Sequence, residues 1–182
     1  MMKKKGLRKW DRGITFESLL AQLMNLYNQY TFAFFTDRGV RIARKLCYSA
    51  IGLIQLRNGL RAQEAIDSFY YWLETKEKVF YIRAKKHGEE RPVKIPAMLK
   101  YPDLFEASRL AGKITMRAYG KWVERKLGVN THTLRYAFIR KLLDLEVPGD
   151  KISLVLGHRK PDTTYEYEKT YEKLRILEKI DL

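Results

Sequence analysis

The chain has 182 residues, 46% of them hydrophobic and 31% charged, which fits one globular domain with a real core. No apolar run approaches the roughly 20 residues needed to cross a bilayer, the basic residues 1–12 lack a signal peptide's apolar stretch, and the single Cys47 excludes a disulfide framework or a Cys-ligated metal site. The expectation is an intracellular protein with no membrane partner. Its 36 Lys+Arg against 21 Asp+Glu leave a formal charge of +15, for which a polyanion such as nucleic acid is the natural partner.

Residues 1–13 carry Lys3, Lys4, Lys5, Arg8, Lys9 and Arg12 and read as a basic arm ahead of a single domain over 14–182. From Thr15, a good N-cap, Leu20, Leu23, Met24 and Tyr27 recur at helical spacing, and a second helix over 40–57 stops at Asn58-Gly59. A third helix starts near Arg61 and ends at 72–75. Val79-Phe80-Tyr81-Ile82 and Val93-Lys94-Ile95 then read as two strands flanking the turn His87-Gly88. Beyond Pro96 the helical pattern returns over 97–110, 113–127, 132–145, 150–156 and 170–180, with Val147-Pro148-Gly149 as a tight break. The fold class expected is mainly α with a small antiparallel β-hairpin.

Four stretches hold groups able to bind and attack a phosphodiester: Asn58-Gly59-Leu60-Arg61-Ala62-Gln63-Glu64, Lys85-Lys86-His87-Gly88-Glu89-Glu90-Arg91, His132-Thr133-Leu134-Arg135, and Leu156-Gly157-His158 with Thr163-Thr164-Tyr165-Glu166-Tyr167. Arg61 opens a helix, where free backbone N–H groups and the helix dipole already favour an anion and a guanidinium adds a bidentate donor. Glu64, one turn on, can hold Arg61, although an ordinary surface ion pair has the same spacing. His132 and Arg135 share a helix face and set an imidazole beside a second guanidinium. A tyrosine of ordinary pKa, about 10, is a poor nucleophile without cations to stabilise its phenolate. Taken singly, Tyr165, Tyr167 and Tyr171 equally suit aromatic packing.

In order and spacing these stretches resemble the signature of the tyrosine recombinase, or lambda-integrase, family: T-G-L-R-x-S-E, a β-hairpin lysine, H-x-L-R-H, L-G-H and T-T-x-x-Y. The likeness runs from Ala50 to about Tyr171. It implies a tyrosine recombinase catalytic-domain fold with Arg61, Lys86, His132, Arg135, His158 and the nucleophile Tyr167 as catalytic residues and Glu64 in support. Lys85 is an alternative to Lys86, because a one-residue slip in a hairpin exchanges the two faces. Lys3, Lys4, Lys5, Arg8, Lys9, Lys85 and Arg91 are expected to contact DNA. Asn58, Gln63 and Tyr136 depart from the family's usual Thr, Ser and His, and none removes a group the chemistry requires.

The resemblance further implies site-specific breakage and rejoining of double-stranded DNA through a 3′-phosphotyrosyl intermediate, with no cofactor, since arginines, a lysine and histidines can supply the cationic environment a metal ion supplies elsewhere. It implies a homo-tetramer on DNA and a monomer or weak oligomer when free. Leu174, Ile176, Leu177 and Ile180 form an apolar stripe on the tail (170–182) that suits either a neighbouring subunit or the chain's own core. Members of the family usually carry a DNA-clamping domain ahead of the catalytic one, so this is either a minimal recombinase or one lacking that domain. A type IB topoisomerase, with a similar residue set, and a non-catalytic DNA-binding regulator of the same fold are the alternatives.

Overall fold

The computed structural model describes residues 14–83, 90–157 and 176. Helix α1 (Phe16–Thr36) starts where Thr15 Oγ1 accepts the Ser18 amide at 3.1 Å, the N-cap expected of that residue. Its buried residues Leu19, Leu23, Tyr27, Tyr30 and Phe34 recur every three or four positions and form one apolar stripe. The stripe lies on α2 (Val40–Asn58), in which every residue from 46 to 58 is buried. Gly52 allows the close approach, because a Cβ there would stand 2.6 Å from Leu23 Cδ2.

Helix α2 is the axis of the molecule. Around it pack α1, α3 (Ala62–Thr75), α4 (Tyr101–Ala111), α5 (Met116–Leu127), α6 (Thr131–Asp144) and the second strand of a two-stranded sheet. The sheet joins β1 (Val79–Arg83) to β2 (Glu90–Lys94) antiparallel, with Val79 opposite Lys94 and Arg83 opposite Glu90. A short α7 (Gly149–Val155) packs on α6 and β2. The mainly helical architecture with one small antiparallel sheet is the class expected from the sequence.

Two helices begin later than their apolar pattern suggests. A helix from residue 97 would hold Pro102 in its interior, where the ring clashes with the preceding turn and a hydrogen bond is lost. Helix α4 instead starts at Tyr101, which puts Pro102 in the first turn, where no amide partner is needed. Helix α5 starts after Thr115, whose Oγ1 accepts the Ala118 amide at 3.2 Å. Of the tail, Ile176 is described, and it is helical and buried against the core.

Candidate active site

The site forms where α2 ends. Gly59 takes φ +58° as the C-cap of α2, a conformation cheap only for glycine. A Cβ there would also meet the Phe138 ring at 2.3 Å, so the turn lies directly on α6. Asn58 fixes the same turn to the sheet: its Nδ2 donates to Ile54 O and Lys94 O at 2.9 and 3.0 Å, and its Oδ1 accepts the Lys94 amide at 2.9 Å. The departure from threonine at this position thus supplies a two-way bond to β2. Gln55 joins the turn to the start of α6, donating from Nε2 to Leu60 O at 3.1 Å and Thr131 O at 3.0 Å while its Oε1 accepts from the Tyr119 hydroxyl at 2.6 Å.

Three guanidinium groups gather around Glu64 at this turn. Arg61, the N-cap of α3, gives its backbone amide to Glu64 Oε2 and its Nη1 to Glu64 Oε1, both at 2.9 Å. Arg91 Nη1 approaches Glu64 Oε2 at 3.6 Å. Arg135, from the first turns of α6, donates to Gly59 O at 2.6 Å. Arg91 also donates to Asn58 O and, at 3.4 Å, to Leu156 O at the end of α7. One side chain therefore ties together the Asn58–Glu64 turn, the hairpin and the start of the Leu156-Gly157 segment.

Burial shapes the charges. It opposes ionisation of Glu64, but the Arg61 amide, the Arg91 charge and the Arg61 guanidinium outweigh it and hold the carboxyl below its ordinary range. Burial and then the neighbouring Arg135 charge push Arg91 down to about 9, against the pull of Glu64. Burial and Arg61 push Arg135 down to about 10. Arg91 and Arg135 stay cationic at neutral pH, and the crowding of positive charge makes the cluster a ready anion site. Arg61 keeps 28% of its side chain exposed while Glu64 keeps 2%, so Arg61 is the member that faces outward.

Of the residues singled out in the sequence, the structure brings together Arg61, Glu64 and Arg135. His132 lies exposed on α6, one turn before Arg135. The Arg91 side chain is 0% exposed, turned by β2 into the core among carbonyls and Glu64. Lys85, Lys86, His158 and Tyr167 lie outside the described residues, as do Lys3, Lys4, Lys5, Arg8 and Lys9. The structural role of Arg91 had a signal in the sequence: it shares its strand face with Val93 and Ile95, two positions apart. Gln55 had one too, as an amide within the apolar run Ile51 to Leu56.

No family model matches the chain, and no solved structure matches it. It is 30% identical over 177 residues to the protein named Putative integrase ORF241 of Acidianus two-tailed virus, covering 94% of this chain and 68% of the viral protein. It is also 25% identical over 209 residues to an uncharacterized protein of Methanocaldococcus jannaschii, covering 97% of this chain and 89% of that protein.

Proposed function

The chain belongs to the family of that viral integrase, and from this premise we propose that it breaks and rejoins double-stranded DNA as a tyrosine recombinase. The observation that carries the reading is the cluster itself. Arg61 at a helix start and Arg135 on α6 lie 74 positions apart in sequence yet share Glu64 and the Gly59 turn. They form a partly buried cationic site of the kind that stabilises charge on a phosphate in transfer.

In this mechanism Tyr167 attacks the scissile phosphorus, its proton leaving to His132 or to water, and the 5′-oxygen departs with a proton from Lys86. The product is a 3′-phosphotyrosyl bond and a free 5′-hydroxyl. Attack of a partner strand's 5′-hydroxyl on that bond restores the phosphodiester and releases Tyr167, so no external energy source is required. Arg61, Arg135 and His158 neutralise the non-bridging oxygens. Glu64 fixes Arg61, and Arg91 positions the turn without touching substrate. On DNA the protein works as a homo-tetramer, since strand exchange needs four cleavage centres on two duplexes.

Strand transfer between two labelled duplexes tests the reading. Wild-type protein is expected to join the label of one duplex to the other, and Arg135→Ala to lower the rate by about 10²–10³-fold with duplex binding retained. Relaxation of supercoiled DNA with no transfer would move the chemistry to a topoisomerase. Duplex binding with neither reaction would leave a non-catalytic regulator.

A further inference from the structure

At the opposite end of α2 from Gly59, its first turns and the last turn of α5 enclose a cavity of about 580 Å³. Arg41, Arg44, Lys45, Arg125 and Lys126 line it, together with the aromatic rings of Tyr48 and Trp122. About 20 Å of helix separates Lys45 from Gly59 at 1.5 Å per residue, so this is a different place from the arginine cluster.

The charge arrangement there opposes what a helix N-terminus ordinarily holds. The first turn of a helix carries positive partial charge and favours Asp or Glu. Helix α2 has no acidic residue in its first turn and no side-chain cap, and it places Arg41 there instead, with Arg44 and Lys45 in the second turn. Among the described residues no carboxylate lines the cavity. Asp37, close by in the chain, accepts the Gly39 amide at 3.0 Å. Arg44 is held in place by donating its Nε to Ala111 O at 2.9 Å. Burial, then Arg41 and Lys126, loosen the hold of Lys45 on its proton, a sign of like charges crowded together.

Trp122 is 3% exposed, and its buried Nε1–H has no hydrogen-bond partner among the described residues. The Tyr48 and Trp122 rings, with centroids 5.7 Å apart, give the cationic cavity an aromatic wall. Cations combined with aromatic surface are the recurring chemistry of nucleotide and single-strand sites, and the cavity's volume suits a ligand of that size.

We propose that this cavity is a second phosphate-binding site, separate from the arginine cluster, that takes the phosphate groups of a nucleotide either free or within a nucleic-acid strand. The proposal stands independently of the recombinase chemistry, because it uses none of the residues assigned to it.

Calorimetric titration of the full chain with dATP and with a short oligothymidylate, both in chelator, tests it. Wild type, Arg41→Glu/Lys126→Glu and Arg61→Ala are compared. Both residues of the double variant are exposed, and a glutamate at position 41 suits the helix dipole, so its melting temperature is expected to hold or rise. The double variant is expected to bind at least one probe about tenfold or more weakly, a loss of about 1.4 kcal/mol, with Arg61→Ala retaining dATP affinity. A loss for dATP identifies a free nucleotide as the ligand, and a loss confined to oligothymidylate identifies a strand. Equal affinities of wild type and the folded double variant for both probes would overturn the site, as would failure of both probes to bind wild type.

Discussion

Arg91 makes the hardest choice in the molecule, since a guanidinium with no solvent access must find every partner inside the protein. Asn58 O, Leu156 O and Glu64 meet its two Nη groups, while among the described residues its buried Nε has no hydrogen-bond partner. Replacing Arg91 with Met removes that charge and takes from Glu64, 2% exposed, one of its cationic neighbours. Breaking one side of a buried ion pair costs about 3–5 kcal/mol, and urea unfolding of Arg91→Met is expected to show a loss in that range. Glu64 sets a pH signature of its own. Its folded pKa is depressed, so its contribution to stability is full above the unfolded value of about 4.3 and is lost as pH falls through the lower folded value. Denaturation midpoints measured between neutral and strongly acid pH should fall over that window in wild type and less steeply in Glu64→Gln. Both residues were visible in the sequence, yet only Glu64 could be given its place. An i, i+3 spacing names a partner on the same helix, whereas the partners of Arg91 come from residues 33 and 65 positions away.

At the scale of elements, the site depends on α2, α6 and the hairpin meeting at one turn. Gly59→Ala tests that junction. The left-handed backbone costs a residue with a Cβ about 1–2 kcal/mol, and the approach to Phe138 at 2.3 Å adds a steric term, so a total near 3 kcal/mol is expected. The double variant Gly59→Ala/Phe138→Leu should recover part of the steric share and none of the backbone share. A double-mutant cycle separates the two. The elements themselves were legible where caps and breakers are local: Thr15 and Gly59 mark helix ends by hydrogen bonds within a few residues. The start of α4 was not, since periodicity extends through residues 97–100 and only Pro102 shows where a helix can begin. How the Asn58 turn meets β2 was closed to sequence, because that contact spans 36 positions.

For the whole molecule, the +15 charge predicts an affinity for DNA governed by counterion release. If the protein neutralises about six phosphates, the logarithm of the binding constant should fall against the logarithm of salt with a slope near −5, about a thousandfold between 50 and 200 mM. Fluorescence anisotropy across that range measures it, and a flat response would exclude the electrostatic docking that the arginine cluster requires.

The central claim is a covalent bond between Tyr167 and DNA, formed at the Arg61–Arg135 cluster. Its most direct test is incubation of the full chain with suicide duplexes nicked beside candidate cleavage positions, in chelator, followed by a denaturing gel. Wild type is expected to give a protein–DNA band that survives denaturation, and Tyr167→Phe to give none while still binding the duplex. A band of equal intensity in Tyr167→Phe would contradict the account and move the nucleophile to another residue, with Tyr165 and Tyr171 the first to substitute.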